Sequence, residues 1–483
     1  MFDLLNLACN HARRAGAEFA DARYLDMRRQ RISSRDLALS GCSDSEDSGF
    51  GVRVLYNGAW GFASSPNYRE DEVERVVNQA LEIARASAHA LRRGDGVRFA
   101  SEPAQRMSYR SDCAQDPFAV PLEDKADLLV SANEVMLANP AIKRALGYLL
   151  FKRIQRWYAN TDGAELHSDV TSSESIVSAI AVGDGDFQER NWKAPSSSRG
   201  YEAFDQAEYL TQAERVAAEA EEKLSAKLAP EGEFDIVTDS ENLSLTIHES
   251  VGHPTELDRV MGYEVSMAGA SFLTREKLGD FRYGSDQVTL MADNTLDHGL
   301  ATQGFDDDGV PGQRWEIVRD GIFQAYGTGR EFAHYVDEER SRGCCRADHW
   351  SSIPIVRIPN LFLMPGKAEL SPDELIADID HGLYFEGMDS FSIDQWRLNF
   401  QFGGNAVWEI RNGRKVGMLK SALYQSRTPT FWNACDATCD ERFWRAHGVM
   451  NCGKGDPMQI AQMTHGAAPT RFRKIRICRG RDA

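Results

Sequence analysis

No stretch of this sequence approaches the 18 consecutive apolar residues that a membrane-spanning helix needs. Positive charge is in deficit as well: Lys and Arg number 55 against 73 Asp and Glu, a formal net charge of -18. Nucleic acid and anionic membrane surfaces both demand a basic footprint, so neither is expected as the main partner. The first residues do not read as a secretory leader either. The opening MFDLLNLACNHARRAG carries Asp3 where a leader carries positive charge, and its short apolar part runs into Arg13 and Arg14. The expectation is an amphipathic helix and a cytoplasmic protein. The nine cysteines are odd in number and irregularly spaced, which argues against a disulfide framework and for free thiols. There is no internal repeat and no low-complexity segment.

What is present is ordinary globular material. At about 150 residues per domain, 483 residues suggest two or three domains. Apolar residues recur at helical spacing over 71–88, 123–138 and 207–228. Asn57-Gly58, Asp162-Gly163, Asp320-Gly321 and Asn412-Gly413 stand between alternating segments and predict hairpins. Ala229-Pro230-Glu231-Gly232 closes the third helix before the strand FDIVTD, placing a domain boundary near residue 230. Residues 1–230 mix helices and strands. Residues 231–483 read as a largely antiparallel sheet or barrel with one inserted helix, an α+β arrangement overall.

That inserted helix holds the sharpest motif, H-E-x-x-x-H, formed by His248, Glu249 and His253. Imidazole is the commonest metal ligand, and a glutamate between two histidines is the general-base position of helix-borne zinc hydrolases. The spacing is unusual. In H-E-x-x-H the two rings lie roughly 40° apart on an ideal helix, whereas five steps leave them about 140° apart. A one-residue π-bulge restores a shared face. Alternatively, the helix ends near Gly252 and His253 approaches from a turn, and Gly252 with Pro254 suits either solution.

Catalytic zinc takes three protein ligands and keeps one position open. Cys452, in the glycine-flanked, Pro-ended segment NCGKGDP, offers a third ligand from what reads as a loop. His447, His465 and the Cys435–Cys439 pair compete for that role.

The chain resembles the TldD/PmbA family of metallopeptidases, in its metal-bearing TldD type. The resemblance covers nearly the whole chain and rests on EFADARY (18–24), GVRVLYNGAWGFAS (51–64), HESVGH (248–253), FDDDGVPGQRWEIVRDGIFQAYGT (305–328) and NCGKGDPMQIAQMTHGAAPTRFR (451–473). It implies one zinc ion per active subunit on His248, His253 and Cys452, with Glu249 as catalytic base. It also implies an N-terminal α/β domain and a C-terminal domain built as an open antiparallel, barrel-like sheet. The expected assembly is a dimer with a second TldD-type chain or a PmbA/TldE-type chain, enclosing a chamber that admits small or unfolded peptides. Two other readings share the metal site: a zinc amidohydrolase of small amides, and a regulatory subunit with a structural zinc.

Other features carry less. Asp306-Asp307-Asp308-Gly309 reads as a solvated acidic turn, since three adjacent carboxylates are not expected all to point inward. Gly327-Thr328-Gly329-Arg330 reads as a bend with backbone access. The segment around Trp396, Phe400 and Phe402 reads as core. His298, His334, His349 and His381 have no partner at metal spacing, and Ser250 lies outside G-x-S-x-G.

Overall fold

The computed structural model describes residues 1–92, 95–183 and 185–480. The helices predicted from apolar spacing form as α1 (Phe2–Arg14), α2 (Glu70–Ala90), α3 (Leu122–Leu137) and α4 (Gln206–Ser225). Helix α4 stops three residues short of the predicted end. Lys227–Leu228 instead pairs in parallel with Arg414–Lys420.

Seven strands of the first half make one sheet: β1 (Phe19–Arg35), β2 (Ala38–Tyr56), β3 (Ala59–Ser65), β4 (Arg106–Arg110), β5 (Ile142–Asn160), β6 (Glu165–Gly183) and β7 (Asp186–Ser197). Their order is β3-β2-β1-β5-β6-β4, with β7 also on β6. Asn57 and Gly58 both take positive φ, 46° and 76°, as a two-residue turn between β2 and β3 requires. Alternation decides what each face does. Ala20, Ala22 and Ile32 of β1, with Leu149, Phe151 and Ala159 of β5, face all four helices and form two apolar cores with them. The other face carries Asp21, Arg23 and Arg156, which meet the second half of the chain.

That second half contains a ten-stranded and a six-stranded sheet. Most pairs are antiparallel, but Gly232–Thr238 pairs in parallel with His381–Glu386, and Leu361–Leu363 with Gln459–Ala467. Among the described residues neither sheet closes into a barrel; the larger one carries Cys435–Thr438 as a branch on Thr470–Arg479. The largest core lies between them and surrounds helix α5 (Ser240–Ile247). Asp239 caps this helix, accepting from the Asn242 amide at 2.7 Å. No helix among the described residues is long and apolar enough to cross a membrane.

Three expectations are corrected. Asp306, Asp307 and Asp308 are all buried: Asp307 faces Arg156 at 3.0 Å and Asp308 faces Arg53 at 2.7 Å, both arginines distant in the chain, while Asp306 accepts amides of Val310 and Cys345 and burial, with Asp308 beside it, pushes its carboxyl well above the usual range. Trp396 is 57% exposed on a turn, while Phe400 and Phe402 stack in the core. Cys452 sits in the strand Arg445–Lys454, held by antiparallel pairing with Gln459–Ala467, and not in a loop.

Candidate metal centre

Every residue from Asn242 to Arg259 is buried, and this defines the chemistry allowed around α5. Its polar side chains are matched one by one. Asn242 donates to the carbonyls of Gly387 and Gly403, and the hydroxyls of Thr246 and Tyr424 bond at 2.7 Å. The helix does not continue as an α-helix through the motif. His248–Gly252 form a π-turn closed by the His253 amide donating to the His248 carbonyl, and His253–Thr255 follow as a 3-10 turn. An i→i+5 turn stacks residues five apart, which is the separation of the two histidines. A widened turn leaves carbonyls in need of donors. The Tyr283 hydroxyl donates to Ser250, and the Thr255 hydroxyl donates to Val251 at 2.7 Å.

The result is a cluster. Ligand atoms of His248, His253 and Cys452 lie within 4.8 Å of one another, all on buried residues. The Cys452 Sγ is 3.7 Å from His253 Nε2. Tetrahedral zinc with Zn–N near 2.0–2.1 Å and Zn–S near 2.3 Å sets such donors about 3.5 Å apart, so the spacing fits. The far ring nitrogens are already engaged. His253 Nδ1 bonds Glu256 at 2.9 Å, and His248 Nδ1 bonds His465 Nε2 at 2.8 Å. Both arrangements leave Nε2 facing the cluster, as an oriented metal ligand requires.

The electrostatics suit a cation. Burial holds both imidazoles below their ordinary pKa, against the opposing pull of Glu249 on His248 and of Cys452 and Glu256 on His253. Burial alone would raise the Cys452 thiol, yet contact with His253 and the nearby Arg357 bring it below its usual value. Burial would likewise raise Glu256, but Lys454, His253 and Arg259 hold its carboxyl well below the normal range. Lys454 is fully buried between Glu256 at 3.2 Å and Asp258 at 2.7 Å. Glu249 is 5% exposed and ion-paired through Oε2 with Arg397.

Of the competing donors, His465 stands behind His248 and is not in the three-residue cluster. His447 shares a hydrogen bond with Ser240 at 2.9 Å. Cys435 packs in the core against another strand. Sequence reasoning missed Arg397, Glu256 and Lys454. Lys454 follows Cys452 by two on a strand and so shares its face, and Glu256 follows His253 by three in a helical turn, so both had a local signal. Arg397, 148 residues from Glu249, had none.

Comparison with known proteins gives the family of the chain. The model described as PmbA/TldA metallopeptidase C-terminal domain matches residues 231–477, domain 1 of that family matches 20–84, and its central domain matches 115–228. The chain belongs to the PmbA/TldA metallopeptidase family. A metalloprotease of Methanothermobacter thermautotrophicus is 28% identical over 95% of each chain. A zinc metalloprotease TldD homolog of Saccharolobus solfataricus is 23% identical over 96% of this chain and 98% of its own. Among solved structures, a Thermotoga maritima chain shares the fold at TM-score 0.80 and 16% identity, covering 99% of this chain and all of that one. TldE from Thermococcus kodakarensis shares it at TM-score 0.72 and 14% identity over 99% of each.

Proposed function

We propose that this chain is a zinc-dependent peptidase that hydrolyses small or unfolded peptides. Residues 1–230 and 231–483 act as its two bodies in a reducing, cytoplasmic setting, and a second TldD-type or TldE-type subunit completes a chamber around the site. The observation that carries the reading is the convergence of two imidazoles, brought to one face by a buried π-turn, with the thiol of the strand Arg445–Lys454, all beside the carboxylate of Glu249. His248, His253 and Cys452 hold the ion, one per active subunit. Zinc in such a site polarises a carbonyl and acidifies water.

The remaining roles belong to the chain. Arg397 holds Glu249 Oε2 and leaves Oε1 to accept a proton from the attacking water. The same carboxyl then delivers that proton to the leaving nitrogen. Glu256 and His465 fix the two rings from behind, so that ligand orientation does not drift during turnover. Burial of the motif excludes bulk water and strengthens each of these contacts.

The test is Glu249→Gln with zinc content and hydrolysis measured together. The expected variant keeps its zinc and loses at least about 100-fold in the hydrolysis of unfolded peptides. Zinc lost together with activity would make Glu249 a ligand and defeat the assignment. A panel of small amides run beside the peptides separates peptidase from amidohydrolase.

A further inference from the structure

The face of the N-terminal sheet that looks at strands Arg445–Lys454 and Gln459–Ala467 carries charge towards both of its ends, with Leu25, Met27 and Ile154 between, and only part of that charge is neutralised. At one end Arg23, Arg53 and Arg156 meet Asp21, Asp307 and Asp308. Further along, β1 presents Arg29 and Arg31, and β5 places Lys152 directly opposite Arg29. Like charges directly opposite on antiparallel strands destabilise the pair. Arg29 and Lys152 have no side-chain hydrogen bond or ion pair among the described residues, and Arg31 only covers the Tyr148 ring at 4.5 Å. Burial, and then Arg29, push the Lys152 amine below its ordinary value.

These side chains border a cleft of about 580 Å³, closed on its far side by Met450, Asn451 and Ile460. A second, narrower cavity shares Lys152 and Ile460 with it and reaches Arg346 and Arg357. Both guanidiniums are buried and meet carbonyls rather than carboxylates: Arg346 donates to Gln462 and Ile358, Arg357 to Gln459 and Cys452. The Arg357 Nε is buried with no hydrogen-bond partner among the described residues, and Arg346 is brought down to about 10 by burial and by Arg357. The carboxylates at the cleft are already engaged. Glu174 pairs with Lys193 at 3.1 Å, and Asp348 takes the Ser352 hydroxyl and the Ile460 amide, each at 2.8 Å.

The exposed Arg29 and Arg31 and the half-buried Lys152, which has Glu174 and Asp348 near it but no carboxylate in ion-pair contact among the described residues, leave the rim of this cleft locally positive in a chain of net charge -18, and a local excess of cations attracts an anion. We propose that this cleft binds the acidic stretch of a peptide, holding its carboxylates between Arg29, Arg31 and Lys152, so that acidic peptides are preferred substrates. That the anion is a peptide rests on the peptidase reading; that the site takes an anion rests on the charges alone. Residues two apart on a strand stand about 6.6 Å apart, a span that suits successive side chains of an extended segment better than one small anion. Leu150, Ile176 and Met450 supply apolar wall for the stems of those side chains. Nucleic acid is disfavoured because Tyr148, the one aromatic ring on this wall, is covered by Arg31 and offers no stacking platform.

The test measures fluorescence anisotropy of labelled hexaglutamate on the full-length, metal-loaded protein, with peptide integrity checked by mass spectrometry. Hexaglutamate should bind at least tenfold more tightly than hexaglutamine, with affinity falling as salt rises. The double variant R29Q/K152Q should lose at least tenfold in hexaglutamate affinity while its zinc content is unchanged and its unfolding midpoint is equal or higher, because a repulsive pair is gone. A lower midpoint would mark the two cations as structural and overturn the proposal. So would equal binding of both peptides, undiminished binding by the variant, or displacement by inorganic phosphate or hexathymidylate as effective as by the acidic peptide. Binding read this way is independent of cleavage, so failure of the cleft and failure of the peptidase reading are told apart.

Discussion

At the scale of single residues, the centre is defined by what stands behind each ligand. His253 has a carboxylate behind it, and Glu256 is itself held by Lys454 and Arg259. His248 has a neutral ring behind it, His465, whose pKa burial and His248 hold well below normal. For His248 to offer Nε2 to a metal, its Nδ1 must donate to His465 Nε2. Removing that acceptor frees the ring to rotate and orphans a buried donor. His465→Ala should therefore weaken zinc binding by about 10- to 100-fold, measured by competition with a chromophoric chelator, and unchanged affinity would remove His465 from the centre. Cys452→Ala should go further and leave the purified protein without stoichiometric zinc by elemental analysis. Zinc retained at one per chain would show that the sulfur is not a ligand, whatever its distance from the rings.

At the scale of elements, the five-residue histidine spacing announced a problem and the π-turn is its solution. Of the two geometries the spacing permitted, the sequence could not choose, because the choice depends on residues outside the motif. Tyr283 and Thr255 satisfy the carbonyls that a widened turn exposes, and the former lies 33 positions away. Hairpins were legible for the opposite reason: Asn57-Gly58 and Asn412-Gly413 carry their own conformational preference and need no distant partner. The Cys452 segment misled because Gly453, Gly455 and Pro457 weaken strand propensity, yet pairing with Gln459–Ala467 extends the strand through Lys454. The π-turn also has a packing requirement. A Cβ on Gly252 would stand 2.9 Å from Ile358 Cδ1 and 3.0 Å from its Cγ2. Gly252→Ala should cost about 1–3 kcal/mol in denaturant unfolding, by overpacking. Combined with Ile358→Ala it should cost less than the sum of the two single changes, because each relieves the other. Strict additivity would show that the glycine is there for backbone reasons alone.

At the scale of the whole molecule, the two halves of the chain are joined by charge as well as by apolar contact. Asp308 accepts from Arg53 on β2 at 2.7 Å and from the Arg330 amide at 3.0 Å, and Arg53 also reaches Asp21 on β1. The same guanidinium lies over Trp60 at 4.5 Å, and Arg330 lies over Phe99 at 4.1 Å. Reading three consecutive aspartates as a solvated turn is the natural error of local reasoning, since Arg53 is 255 positions from Asp308 and nothing nearby reveals it. Burial alone would raise the Asp308 carboxyl; Arg53 and Arg330 instead hold it below its usual value, so it enters the interface as a carboxylate. Removing it leaves Arg53 sharing one counterion and strips a partner from the loop that carries Arg330. Asp308→Ala should lower the unfolding free energy by about 3–5 kcal/mol, the range for breaking one side of a buried pair. Adding Arg53→Leu should deepen that loss, because Asp21, which still holds Arg53 in the single variant, is then buried without its partner. If the single variant unfolds at the parental denaturant midpoint, the network does not clamp the halves together, and the cleft between them must keep its shape by apolar packing alone.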